Sequence, residues 1–196
     1  GIWAAKGAAV IPLDAWHATE DKKATFDQVT GTPVFAVDVT PDRSMCSIAV
    51  AGRRSDGKPY TEIIENRAGT TWVKARVLEL KRAWGGKVIL DPSGPAGSLV
   101  SDGVEVETVS TREHAQSCGL FFDLVTGEKM RHRPDQLLDA ALAGAVKKDI
   151  GDGLWLWSRK TSLVDISPLV AATLAIGAVG APAQVGFKSL DDYLDD

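Results

Sequence analysis

The run Pro33-Val34-Phe35-Ala36-Val37-Asp38-Val39-Thr40 constrains this chain more than any other stretch. Val, Phe and Thr favour strands, and a short apolar run bounded by Pro33 and Pro41 has the pattern of a buried strand. Asp38 breaks that pattern. An ionised carboxylate set into such a run carries a large desolvation cost unless something positive pairs with it. Two kinds of partner are open. Backbone amides or an arginine would make Asp38 a structural residue, and a metal ion would make it a ligand.

The neighbouring sequence supplies a sheet around this strand. Runs at 44–52 and 59–66 also read as strands, and their connections, Pro41-Asp42-Arg43 and Arg53 to Lys58, are turn chemistry suited to hairpins. Three antiparallel strands in a row are expected. From Thr70 to Trp84 the apolar residues Trp72, Val73, Val77, Leu80 and Trp84 recur at helical spacing. Val88 to Asp91 is then a short strand ending in a carboxylate, and Pro92-Ser93-Gly94-Pro95 turns the chain into a short helix. Val104 to Val109 alternates with period two, as a half-buried strand does. A helix over 110–127 follows, then the basic cluster Arg131-His132-Arg133 and a helix opened by Pro134 in its first turn, with Leu137, Leu138, Ala141, Leu142 and Ala145 as its apolar face. Leu154 to Trp157 is a further strand. Ser167 as N-cap with Pro168 at the first helical position starts an Ala-rich helix ending near Gly177 to Gly180, which leaves Asp165 free for another task.

This order predicts an α/β domain with a mixed sheet, three antiparallel strands followed by strands that arrive through helical crossovers and are therefore parallel, with helices on both faces. Residues 1–32 are expected to be a lead-in or linker, 33–182 the domain, and 183–196 a frayed acidic tail. At 196 residues with 44% hydrophobic content, one domain with a substantial core fits. The net charge of -4 excludes a global basic field, so a nucleic acid would have to meet a local patch. Cys46 and Cys118 form no CxxC and no disulfide framework, which suits a reducing cytoplasm. The uncharged stretch from Ile166 to Phe187 is long enough to resemble a membrane span, but Ala, Gly, Pro168 and Pro182 make it a short buried helix. The chain opens on Gly1 rather than Met, as a piece cut from a longer protein would.

Three carboxylates share one topological property. Asp38 lies in the first strand, Asp91 ends the first crossover strand, and Asp165 precedes the last helix. The first strand and the first crossover strand are expected neighbours, so Asp38 and Asp91 can face one site, and a late helix lying across the strand ends would bring Asp165 there. Like charges so close repel, and divalent cations remove that problem. Hard oxygen ligands suit Mg²⁺ or Mn²⁺, and two such ions about 3.5–4 Å apart can activate a water and stabilise a leaving oxygen in phosphodiester cleavage. Each acid also has a bland reading: Asp91 as a turn former before Pro92, Asp165 as a second cap for its helix, and Asp38 as a buried structural Asp.

Taken together, FAVDVT with its hairpin, VILDPSG, RHRPDQLLDAAL and SLVDISPLVAATLA resemble the C-terminal nuclease domain of the large terminase subunit of tailed double-stranded DNA bacteriophages. The segments occur in the family's order over roughly residues 34–180. The resemblance implies a ribonuclease H-like fold, with Asp38, Asp91 and Asp165 matching the family's catalytic, metal-binding acids. It implies metal-dependent endonucleolytic cutting of concatemeric viral DNA in the host cytoplasm, with two Mg²⁺ or Mn²⁺ ions as cofactors. The partners it implies are double-stranded DNA, the portal protein, the small terminase subunit and an ATPase domain of the same polypeptide. The family's ATPase carries a phosphate-binding loop, and no G-x-x-x-x-G-K-[ST] occurs here. An excised nuclease domain is expected, with residues 1–32 the remnant of the link to the motor.

Other residues are weaker candidates. Asp42 is expected to shape its turn. Glu62 and Glu65 read as solvated strand residues held in reserve as a fourth ligand, and His132 as structural or DNA-proximal. Arg159 and Lys160 could hold a phosphate near the metals, and Arg53, Arg54 and Lys58 on the hairpin could touch the DNA backbone, a contact blind to sequence. Trp155 and Trp157 point to one side of a strand and are expected to pack. Two other functions remain open beside the terminase nuclease: another ribonuclease H-like enzyme such as a junction resolvase or hybrid nuclease, and a non-catalytic docking domain of a packaging motor.

Overall fold

The computed structural model describes residues 9–160, 162 and 164–180. Its centre is a six-stranded mixed sheet. The strands are β1 (Val29–Val39), β2 (Met45–Arg54), β3 (Pro59–Ala68), β4 (Lys87–Leu90), β5 (Glu107–Thr108) and β6 (Arg131–His132), in the spatial order β5-β4-β1-β2-β3-β6. β1, β2 and β3 form the expected antiparallel meander, and β4 returns parallel to β1 after a helical crossover. β5 adds parallel to β4 and β6 parallel to β3.

Alternation along β1 divides the core into two layers. Phe35, Val37 and Val39 face one side with Ile48, Val50 and α2 (Val73–Trp84), while Val34 and Ala36 face the other with Ala49 and Ala51. On this second face lie α4 (Thr111–Thr126), α5 (Gln136–Gly144) and α6 (Ser167–Val179). The short helices α1 (Leu13–His17) and α3 (Ser98–Ser101) pack on the second and first faces respectively. α6 is wedged between the sheet and α4, and its residues from Ser167 to Ile176 are all buried. A helix covered on all sides has no face for charge, which is why this stretch reads like a membrane segment. Gly177 marks the closest approach, since a Cβ there would lie 1.9 Å from Ser117 Oγ on α4. Among the described residues no helix is long and apolar enough to cross a membrane.

Several boundaries differ from expectation. β1 starts at Val29 rather than at the proline, because a register shift between Thr30 and Val34 absorbs Pro33 where no ladder amide is needed. The strand thus runs back into the segment expected to be a lead-in. Trp16 of that segment is fully buried, its ring stacked on His132 at 3.4 Å and its Nε1 donating to Asp139 at 2.9 Å. His132 is accordingly structural. The strand expected over 104–109 pairs only at Glu107–Thr108, since the alternation reflects burial of Val104 and Val106 at the sheet edge and not a long ladder.

Pro134 does not open α5. Asp135 caps it, accepting the Leu137 amide at 2.7 Å, and Leu137 is exposed rather than part of the buried face. Leu154–Trp157 is a strand, β8, but it pairs in a separate hairpin with β7 (Lys147–Gly151), whose residues are all exposed and carry no apolar alternation. Trp155 and Trp157 touch edge to face at 4.9 Å, and Trp157 donates to Thr173 Oγ1. Cys46 and Cys118 are free and buried. The acidic tail 183–196 lies outside the described residues.

Candidate active site

The parallel register of β1 and β4 fixes the first relationship. Ala36 pairs with Ile89, so two residues further Asp38 stands beside Asp91 on the adjacent chain. Both point to the α4/α6 face, as Ala36 and Ile89 do. The antiparallel ladders extend the row, with Asp38 opposite Ser47 on β2 and Ser47 opposite Asn66 on β3. Four adjacent strands therefore present Asp91, Asp38, Ser47 and Asn66 in one line across the end of the sheet.

Three further elements close over this line. Ser110 and Glu113 form a capping box that sets the start of α4, and the fourth residue of that helix, His114, is buried against Asp91, its Nδ1 2.7 Å from Asp91 Oδ2. The chain leaving β8 places Arg159, whose Nη2 donates to Asp38 Oδ1 at 2.6 Å. Its guanidinium lies over Gly94 of the loop after β4, where a Cβ would stand 3.1 Å from Nη2. Before α6, Asp165 accepts the Ser167 amide at 2.8 Å and Asn66 Nδ2 at 3.2 Å, and Ser167 Oγ bonds Ser47 Oγ. Asp38, Arg159, Asp165 and Ser167 line one small cleft.

Each acid also fills the structural role its local sequence allows. Asp91 Oδ1 accepts both the amide and the hydroxyl of Ser93, the Asx-type turn expected before Pro92-Ser93. Asp165 takes the Ser167 amide, so it is not free of capping, and Ser167 is the first residue of α6 and not its cap. Asp38 pairs with an arginine. The three carboxylates stand apart. They bring no trio of ligand atoms within 4.8 Å, a spacing that among the described residues only His17, Glu20 and Asp139 reach, near α1.

Electrostatics separate the two buried acids. Burial pushes the Asp38 carboxyl up from its ordinary value in spite of the Arg159 guanidinium beside it, and its Oδ2 has no hydrogen-bond partner. Burial acts the same way on Asp91, but the hydrogen bonds from His114 and Ser93 outweigh it and hold that carboxyl at about 2. Arg159 is raised in turn: burial opposes its charge, and Asp38 and Asp91 more than compensate. Among the described residues three buried side-chain polar atoms lack a hydrogen-bond partner: Asp38 Oδ2, His114 Nε2 and Arg159 Nε. All three belong to this site. The donor set fits a divalent cation on that ground: hard carboxylate oxygens, one of them buried and unpartnered, around a point where the protein itself places a positive charge.

The remaining sequence candidates fall elsewhere. Asp42 shapes its turn, accepting from Thr40 Oγ1 and from the amide and hydroxyl of Ser44. Glu62 is buried and not solvated, bonded to the Tyr60 hydroxyl, while Glu65 pairs with Arg76 of α2 on the opposite face. Neither reaches the acids. Arg53 and Arg54 end β2, six and seven residues beyond Ser47 and so about 20 Å or more away along the strand, and Lys58 lies in the turn that follows them. Arg54 there pairs with Asp21 at 2.7 Å, and Arg53 donates to the carbonyls of Gly57 and Val179. Of the basic residues singled out in the sequence, Arg159 is the one that pairs with an acid of the site, and the exposed Lys160 follows it in the chain. His114, Ser47, Asn66 and Ser93 escaped the sequence reading. The signal for His114 was present: it falls on the buried stripe of α4 with Cys118, Phe121 and Val125.

The fold is ribonuclease H-like, with the central sheet and flanking helices of that class. No protein-family profile matches the chain, and no curated protein matches it in sequence. Its structural neighbours are large terminase nuclease domains from several phages. It is similar to the large terminase of bacteriophage HK97 (TM-score 0.68, 13% identity, covering 86% of this chain and 43% of that one). It is also similar to the nuclease domain of the large terminase subunit of bacterial virus Sf6 (TM-score 0.53, 14% identity, 89% and 100% covered). A third neighbour is the large terminase nuclease of thermophilic phage G20c with bound magnesium (TM-score 0.51, 16% identity, 75% and 84% covered). The chain thus spans less than half the length of the HK97 protein and most of the length of the nuclease domains.

Proposed function

We propose that this chain is a divalent-metal-dependent endonuclease domain of a phage DNA-packaging terminase, cutting concatemeric double-stranded DNA by phosphodiester hydrolysis. What supports this above all is the row of Asp91 and Asp38 on neighbouring parallel strands with Asp165 closing over it, in a fold whose G20c representative binds magnesium. Asp38, Asp91 and Asp165 are the residues that would hold Mg²⁺ or Mn²⁺, in a two-ion arrangement. Bound there, the metal supplies an activated water and stabilises the leaving oxygen. The chain's own residues do the rest. Asp38 Oδ2 offers an acceptor with no competing hydrogen bond, and His114 and Ser93 keep Asp91 ionised. Arg159 must leave Asp38 Oδ1 for both oxygens to be available, and from there it and Lys160 can meet a phosphate. Double-stranded DNA, the portal protein, the small terminase subunit and an upstream ATPase domain would be the partners, in the host cytoplasm.

A second reading is favoured by one observation: each of the three acids already has a structural partner. In that reading the domain docks within a packaging motor and does not cut. Incubation of supercoiled plasmid with Mn²⁺ or Mg²⁺, comparing the parent with Asp38→Ala and Asp91→Ala, separates the two. Nicking by the parent and none by folded variants supports the nuclease, equal cutting by all three removes the site assignment, and no cutting by a folded parent favours docking.

A further inference from the structure

We infer that His114 is a positioning residue for the metal centre, holding Asp91 in the one orientation that can serve a cation and thereby setting the affinity of the site. The inference rests on the metal-binding reading of the acids and adds a residue that no feature of the loop sequences points to.

The geometry is specific. His114 is fully buried and so is Asp91, and their 2.7 Å contact joins α4 to the end of β4 across 23 residues of sequence. Asp91 accepts from Ser93 as a carboxylate does, so in the 2.7 Å contact the ring's Nδ1 carries the proton and donates. Asp91 is then gripped from two sides. Ser93 takes Oδ1 through its amide and hydroxyl, and His114 takes Oδ2. With both oxygens engaged, rotation about the carboxyl bond is blocked, and Oδ2, which takes only the His114 bond, keeps a lone pair for a further ligand. The other ring nitrogen, Nε2, ends buried without a hydrogen-bond partner. A histidine whose only role was packing would not leave a buried nitrogen unpaired where an apolar side chain would do, since an unsatisfied buried polar atom is costly. The capping box at Ser110 and Glu113 fixes the helical phase that aims the ring at Asp91. Outer residues that orient a metal-binding carboxylate commonly change affinity when lost, even though they never touch the ion.

Calorimetric titration of the folded protein with Mn²⁺, alongside apo-protein melting, tests the assignment with three variants. Asn at this position places an amide donor close to the histidine Nδ1, whereas Gln keeps the bulk but carries its amide out toward Nε2, and Ala removes both. Affinity for Mn²⁺ is expected to fall by about tenfold or more in His114→Ala and His114→Gln and to stay within about threefold of the parent in His114→Asn. A loss of melting temperature shared by all three variants with Mn²⁺ affinity unchanged overturns the inference and makes His114 a packing residue. A parent that binds no Mn²⁺ overturns the metal-site reading itself, and this inference with it.

Discussion

The guanidinium of Arg159 lies 2.6 Å from the carboxylate of Asp38, and this pair holds the place where the chain most needs positive charge. Asp38 is buried within a strand, Arg159 follows a hairpin 121 residues later, and Gly94 makes room for the contact. Removing the cation leaves a buried carboxylate unpaired, which costs about 3 kcal/mol in comparable cases. Arg159→Met should therefore lower apo stability by about that amount in urea unfolding, and millimolar Mn²⁺ should restore most of the loss. Equal destabilisation with and without metal would show that no cation replaces the arginine.

The depressed Asp91 carboxyl predicts a pH dependence with a definite sign. Its folded value of about 2 lies below the ordinary 3.8, so its contribution is fully present above pH 4 and is lost as the pH falls through 4 toward 2. The difference corresponds to about 2 kcal/mol. Unfolding free energy measured from pH 5 to pH 2 should fall more steeply for the parent than for Asp91→Asn, whose side chain does not titrate.

The sequence carried most of the architecture and the three acids, for a physical reason visible in β1. A strand buried on both faces needs an apolar residue at every position, so a carboxylate at 38 is conspicuous without any structure. The partners of that carboxylate were less legible. Arg159 and His114 come from distant segments whose local pattern says only "basic turn" and "buried helix face", and what brings them to Asp38 and Asp91 is the stacking of α6 on the sheet, α4 on α6 and β8 on α4. The same holds for Glu62, which strand alternation left ambiguous and which tertiary packing buries against Tyr60. Asp165 shows a different limit: Ser167 and Pro168 gave a good start signal, and the structure assigns the amide of Ser167 to Asp165.

Close packing between α4 and α6 makes Gly177 intolerant. An added Cβ would meet Ser117 Oγ at 1.9 Å, its Cβ at 2.4 Å and its Cα at 3.2 Å, so a side-chain rotation alone does not relieve it. Gly177→Ala should cost about 1–3 kcal/mol in chemical denaturation, and Ser117→Gly in the same chain should recover part of that loss.

Burial pushes the thiols of Cys46 and Cys118 up to about 12. The thiolate is the reactive form, so neither should react with a disulfide reagent at pH 8 in the native protein except at the rate of unfolding. Both should react at once in guanidinium. Fast labelling of the native protein would show that one of these faces opens.

The most direct test of the central claim is anomalous diffraction from crystals soaked in Mn²⁺. A manganese peak within about 2.2 Å of Asp38 Oδ2, with the Arg159 guanidinium withdrawn from Oδ1, is the predicted result. Arg159 unmoved and no peak at Asp38 or Asp91 at saturating Mn²⁺ would contradict the account and leave these acids as structural residues.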